Sequence, residues 1–465
     1  MINILNDLER KYLNFKLGEE QRNALLSVFL LLSESGFQEC VISGRAGTGK
    51  TTISLLIIHF IENVLKCDYK LVTPTHKSKR ILAEQTNREV TTIHQLLKLK
   101  PNIDILELDL KALKFCSNTL DDSVPENGIV LIDECSMIND SLYDTLVESC
   151  IKKNCKIIWQ GDSKQLEPVN QIKIAKPFTC KNIIELTKIY RQKEKSIVLS
   201  VLEILRKSPI FQFKTLKSES GSIILFDSWM ALIEAKIDLF KKALEDKEPN
   251  EIKFLAYTNK HVEAFNKIIR NKLFNSPNEY EPGDFLMGYD NCCYRSDKLW
   301  YSIDNSDDFR VISASKDTQL IAGIQMNGWF LELYDYDKEE HITVFVLSKD
   351  NDDSKLENLA KIIEETRIKA VLSKDQFDKK SAWKEYYNLC ESFILPFDLY
   401  YEDKLIKKKS IDYGYAITVH KSQSSSYDNI LVDMKDIYRC SNSKELRQLQ
   451  YVALSRTRHD IYMLT

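Results

Sequence analysis

Val41-Ile42-Ser43-Gly44-Arg45-Ala46-Gly47-Thr48-Gly49-Lys50-Thr51-Thr52 is the stretch whose reading decides the fold. It fits G-x-x-x-x-G-K-[ST], in which glycines let backbone N–H groups close around phosphates, the lysine reaches the β and γ phosphates and a hydroxyl helps hold Mg2+. Gly44, Ala46, Gly47, Thr48, Gly49, Lys50, Thr51 and Thr52 are therefore the candidate phosphate-binding residues. Residues 37–42 read as a short buried strand, and Ile53, Leu56, Ile57, Phe60, Ile61 and Val64 recur with helical period directly after the loop. Strand, loop and helix in that order aim a helix N-terminus at an anion. An ordinary glycine turn has no need of Lys50 and Thr51. A nucleoside triphosphate with Mg2+ is the expected ligand.

At 465 residues the chain exceeds the size at which one core stops growing, so two or more domains are expected. Its 43% hydrophobic and 29% charged residues describe an ordinary soluble protein. A net charge of −3 excludes a uniformly basic nucleic-acid coat but leaves room for a basic groove on an acidic body. The 11 cysteines form no CxxC pair, and adjacent Cys292 and Cys293 cannot by spacing hold zinc, which favours the reducing cytosol. The longest apolar run, 24–32, is too short to span a bilayer. A cytoplasmic protein without membrane association is expected.

Upstream of the loop, 17–24 opens a helix in which Gln21 offers one amide to both edges of an adenine; a surface glutamine on a polar helix face is the alternative. Downstream, the strand 70–73 leads into Thr73-Pro74-Thr75-His76-Lys77-Ser78-Lys79-Arg80, where hydroxyls and bases suit phosphate contacts and a solvated helix face fits equally. Thr92-Ile93-His94 opens another helix, with Thr92 also readable as a cap. The regular alternation lapses over 95–127 and resumes with the apolar strand 128–132, which ends in Asp133 and Glu134. After a phosphate loop, such acids hold the Mg2+ shell and orient or deprotonate the attacking water. Gln165, past the strand 156–159, is placed to sense a γ-phosphate, and Arg191 is a candidate phosphate clamp. A second α/β unit without its own phosphate loop begins at 252–257, followed by Thr258 and Asn259. Strands 415–419 and 429–434 and a terminal helix 446–458 complete it. Between them, 309–312, 319–321, 329–333 and 342–346 read as short strands and 354–394 as helices.

Taken in order, these motifs resemble the superfamily 1 helicases, most of all the B branch that includes RecD and the T-even phage Dda helicase. The matching stretches include LGEEQRNAL at 17–25, GRAGTGKTT at 44–52, TPTHKSKRIL at 73–82, TIHQLL at 92–97 and LIDECSM at 131–137. They continue through GDSKQLEPV at 161–169, LTKIYR at 186–191, AYTNKHVEAFN at 256–266, AITVHKSQSSSYD at 416–428 and YVALSRTR at 451–458.

The resemblance implies an α/β fold with two RecA-like P-loop domains in tandem. Domain 1A would hold 1–94 and 122–200, with a small pin-like insertion 1B at 95–121. Domain 2A would hold 201–283 and 411–465, with an SH3-like domain 2B and helical extension inserted at 284–410. Gln21 would recognise adenine, Lys50, Thr51 and Asp133 would hold phosphates and Mg2+, and Glu134 would activate water. Gln165 and Arg191 would contact the γ-phosphate, with Arg456 as an arginine finger from the second domain. Pro74, Thr75, His76, Thr92 and His94 on one domain, and Thr258, Asn259, Thr418, His420 and Ser422 on the other, would grip a single strand. ATP and Mg2+ would be the cofactors. Single-stranded DNA and its junctions with duplex would be the substrate, and single-strand-binding or replication and recombination proteins are candidate partners of a monomer. QLEPV, without the tryptophan of the opposite branch, implies 5′-to-3′ movement. Ser424 departs from the family, which has glycine after His-Lys-x-Gln, so either local strand contact is weakened or its hydroxyl meets a phosphate. An RNA helicase, or a nucleotide-gated assembly factor without motor activity, are the alternatives.

Overall fold

A computed structural model describes residues 1–45, 47–101, 115–116, 122–166, 174–188, 197–207, 213–218, 221–296, 299–373 and 375–465. The phosphate-loop strand Glu39–Gly44 lies inside a six-stranded, all-parallel sheet whose order is 90–92, 69–73, 129–132, 156–161, 39–44, 183–186. Parallel strands must be covered on both faces. Two apolar clusters do this, one built on Phe29, Ile57 and Phe60 and the other on Ile93, Leu146 and Trp159.

The second sheet also has six strands, in the order 416–418, 252–256, 427–433, 457–464, 221–226, 216–218. Only the edge strand 216–218 is antiparallel. The molecule is thus an α/β protein of two RecA-like units. The terminal helix is shorter than expected. It stops at Leu454, and Thr457–Leu464 is a strand, because the continuous apolar run Ile461-Tyr462-Met463-Leu464 fills a central sheet position that is buried on both faces.

Two expected boundaries also move. The helix Ile197–Lys207 straddles position 200/201, and its Val198, Val201, Leu202 and Leu205 pack with Val452 and Leu449 of the second unit. Ile411–Tyr413 pairs with Phe285–Gly288 in the inserted sheet and does not start the second unit. That inserted sheet has five strands, and the short strands expected at 309–333 are one long hairpin, Asp308–Ile321 with Ile324–Asp335, turning at Ala322-Gly323. Helices Asp353–Leu372 and Gln376–Cys390 follow. Of the expected pin at 95–121, Leu96 and Leu97 pack into the first unit at the end of the helix Ile93–Leu96, residues 100–101 pair with 115–116, and 102–114 and 117–121 lie outside the described residues.

A single apolar cluster runs from Phe254, Phe265 and Ile269 of the second unit into Phe285, Phe309 and Trp329 of the inserted sheet. The inserted sheet is therefore welded to the second unit. Its meeting with the first unit is ionic: Lys77 reaches Asp308 at 2.9 Å and Arg80 reaches Asp337 at 2.8 Å. Among the described residues, no helix is long and apolar enough to cross a membrane.

Candidate nucleotide cleft and nucleic-acid face

Glycine is required in the loop for two reasons. Gly47 and Gly49 have φ of 84° and 85°, and a Cβ on Gly49 would sit 2.2 Å from Gln21 Nε2. Gln21 is nearly fully buried and fastens the preceding helix to the loop: its Nε2 donates to the Thr48 carbonyl at 3.0 Å, and its Oε1 accepts the Gly18 N–H at 3.0 Å. Lys50 Nζ lies back over the loop, donating to the carbonyl of Gly44 at 2.6 Å and of Arg45 at 3.3 Å. Thr51 donates to Gln85 Oε1 at 3.3 Å, and Thr52 is half-buried on the same first turn. Gln160 pins this helix to the sheet by accepting from Ser54 at 2.6 Å and donating to the Lys50 carbonyl at 2.9 Å. Ala46 and Arg191 lie outside the described residues.

Asp133 and Glu134 follow the strand Ile129–Ile132 directly, and Glu134 turns the chain with φ of 55° into a short 3-10 turn. Burial raises the pKa of Asp133, with Lys50 opposing. Burial and the adjacent Asp133 push Glu134 up to about 7, while Lys50 and Arg456 pull it back. Gln165 is buried, and its Oε1 has no hydrogen-bond partner among the described residues. Nearby, Asp162 accepts the Tyr451 hydroxyl at 2.8 Å, a buried bond between the two units.

Arg456 comes from the turn between the last helix and the last strand of the second unit. It is 6% exposed, with Nη2 donating to Ser455 Oγ at 2.8 Å, Nε to the Val452 carbonyl at 3.1 Å and Nη1 to the Ser425 carbonyl at 3.3 Å. Burial works against its charge, and Glu134 across the cleft supports it. The structure brings Gln21, Lys50, Thr51, Asp133, Glu134 and Gln165 together with Arg456 around one cleft of about 590 Å³. Sequence reasoning missed Phe15, half exposed on the wall of that cleft, although its place just ahead of the Leu17-Gly18 stretch was a signal. It considered Ser424 only for contact with the strand and missed Ser425, Ser426 and Ser455; all four line the far wall of the cleft.

The expected strand-gripping residues divide. Pro74 and Thr75 are half-buried, Thr75 capping the helix His76–Thr86 by accepting the Ser78 N–H, and Asn259 is exposed. His76 lies 3.5 Å from Asp304; burial lowers its pKa while Asp304 raises it. His94 is lowered by burial and by His76, and His420, 3.9 Å from Glu445, by burial. In all three, burial favours the neutral imidazole over the cation. Thr418 accepts the Lys421 N–H at 3.2 Å, and Thr258 is held by Asp436 at 3.0 Å. Two expectations need correction. Ser422 is 0% exposed and donates to the Val419 carbonyl at 2.7 Å, and Thr92 is 2% exposed and caps Ile93–Leu96 by accepting the Gln95 N–H. Their hydroxyls serve local backbone and do not reach the surface.

A family model described as an AAA domain matches residues 16–224, and one described as a UvrD-like helicase C-terminal domain matches 413–464. The ATP-dependent DNA helicase dda of Enterobacteria phage T4 is 26% identical over 475 residues, which cover 96% of this chain and 98% of the phage protein. The RecBCD enzyme subunit RecD of Buchnera aphidicola subsp. Schizaphis graminum is 26% identical over 500 residues, covering 99% of this chain and 74% of its own. Among solved structures, Pif1 helicase from Bacteroides in complex with ADP-AlF3 and ssDNA has 18% identity and a TM-score of 0.48, covering 97% of this chain and 93% of its own. The two family models fall on the two walls of the cleft, one carrying Lys50 to Glu134 and the other Arg456, and the relatives run the length of the chain. Along its whole length this chain is thus similar to helicases of the RecD-like B branch of superfamily 1.

Proposed function

We propose that the protein is an ATP-dependent DNA helicase that moves 5′-to-3′ on single-stranded DNA and parts duplex ahead of it. The observation that carries this reading is Arg456, held by the second unit, opposite Glu134 and Lys50 of the first. A protein that only binds nucleotide needs neither a water-activating acid nor a guanidinium brought from another unit.

In this reading Lys50 and the loop amides hold the phosphates, Gln165 donates its amide N–H to the γ-phosphate while its unpartnered amide oxygen accepts from the attacking water, and Glu134 orients and deprotonates that water. Arg456 neutralises charge on the equatorial oxygens in the transition state. Thr51 and Asp133 on one wall present the hard oxygen donors that suit Mg2+, which would neutralise phosphate charge. Pro74, Thr75, His76 and His94 on the first unit and Asn259, Thr418 and His420 on the second are the proposed grips. Closure and opening of the cleft would shift one set against the other. The division into 1A, 1B, 2A and 2B is part of the proposal, with 2A opening at the helix Ile197–Lys207 and 2B closing at Tyr413.

The test is ATP hydrolysis and strand separation on DNA duplexes carrying a 5′ or a 3′ single-stranded tail, beside RNA equivalents. Unwinding from the 5′ tail of DNA alone is expected. Unwinding only from the 3′ tail overturns the direction, preference for the RNA duplexes overturns the substrate, and hydrolysis indifferent to nucleic acid overturns the motor.

A further inference from the structure

Ser424 stands in the left-handed region of backbone space, with φ of +64°. Glycine enters this region without steric crowding and serine does not. The side chain supplies a reason. Ser78 Oγ, on the helix His76–Thr86 of the first unit, donates to Ser424 Oγ at 3.2 Å. Ser424 Oγ in turn points to Met137 Sδ at 3.9 Å, in the 3-10 turn that begins at Glu134. Behind Ser78 stands Thr75, whose hydroxyl is hydrogen-bonded to Ser78 Oγ.

Thr75, Ser78, Ser424 and Met137 thus form a line from the proposed strand grip, through a residue of the second unit, to the turn that carries the water-activating acid. A hydroxyl has one hydrogen to donate. If a phosphate of a bound strand takes the hydrogen of Thr75, the Thr75 oxygen becomes an acceptor for Ser78. Ser78 then turns from Ser424, and the contact between the units changes at the moment the strand binds. No bond is made or broken beyond hydrogen bonds, and no proton leaves the line.

We propose that Ser424 is a positioning residue which, through Ser78, couples strand occupancy at Thr75 to the hydrolytic competence of the Glu134 turn. The inference rests on the helicase reading. It is tested by the ratio of ATP turnover with and without a single-stranded oligothymidylate, measured for wild type, Ser424→Ala, Ser424→Gly, Ser78→Ala and the Ser78→Ala/Ser424→Ala double variant.

Loss of one neutral hydrogen bond sets the scale, so each single variant lowers the ratio by about three- to tenfold. The double variant lowers it no further, because both changes cut one line. Glycine separates the hydroxyl from the backbone: it accepts the same φ, so Ser424→Gly has a higher Tm than Ser424→Ala yet loses the ratio equally. Retention of the wild-type ratio in Ser424→Gly, or additive losses in the double variant, overturns the proposal. A wild-type enzyme that oligothymidylate does not stimulate overturns the helicase reading itself, which is a different result.

Discussion

Arg456 and Glu134 are the residues on which turnover is expected to depend most steeply, because each acts on charge that appears only in the transition state. Arg456→Ala should lower kcat by about a thousandfold or more, and Glu134→Gln by about a hundred- to ten-thousandfold. In both, affinity for a fluorescent ATP analogue should stay within about tenfold of wild type, since neither residue cradles the ground-state phosphates. An equal loss of binding and turnover would show that they shape the cleft and not the reaction. Gly49→Ala should behave in the opposite way. Its φ of 85° and the 2.2 Å approach of Gln21 leave no place for a methyl group, so the loop must distort and nucleotide binding should fall at least tenfold, read by the same titration.

The helix Asp353–Leu372 packs Leu359 and Ile363 in one apolar cluster with Ile406 of the strand Lys404–Lys407, and one carboxylate adds an ionic tie. Glu364, 8% exposed, accepts from Arg367 at 2.8 Å and from Lys404 at 2.6 Å. The hydrogen bond from Arg367 first, and that from Lys404 after it, bring its pKa down to about 2 from an ordinary 4.5. A carboxylate depressed on folding stabilises fully above its unfolded pKa, and that contribution drains away as pH falls from about 4.5 toward about 2. Glu364→Gln should therefore cost about 1–3 kcal/mol at pH 7, and the gap in denaturant midpoint between variant and wild type should close through that window. A gap that is constant with pH would place the loss in packing.

At the scale of the molecule, among the described residues, the first unit keeps its two apolar clusters to itself and meets the rest largely through polar and ionic groups, apart from Leu166. Units that share no large apolar interface can move as bodies, while the inserted sheet must travel with the second unit, whose core it shares. The ionic contact is asymmetric. Asp308 stands between Lys77 at 2.9 Å and Lys253 at 3.6 Å, all three nearly fully buried. Lys77→Met leaves Asp308 still beside Lys253 and should cost about 1–3 kcal/mol, whereas Asp308→Asn leaves two buried ammonium groups facing each other and should cost about 3–5 kcal/mol. Chemical denaturation of the two variants checks the order, and equal costs would mean that Lys253 is not charged.

What the sequence determined by itself is the chemistry that follows chain order. Gly44 to Thr52 was legible because a phosphate loop is local: one strand, one turn and one helix carry all of it. The acids at 133 and 134 were legible because a buried parallel strand writes a continuous apolar run that ends where the chain meets solvent. The long hairpin of 308–335 was not, since alternation is interrupted where residues 315–318 stand exposed beyond the sheet's core. Nor was the terminal strand, which periodicity could not separate from the helix before it. Only the tertiary structure decided that Ser422 and Thr92 are buried caps and turns, that Phe15 and Ser424 to Ser426 wall the nucleotide cleft, and that Arg456 faces Glu134. Those facts depend on how residues more than three hundred positions apart, such as Glu134 and Arg456, meet where the two units join, and no local period or motif records such a meeting.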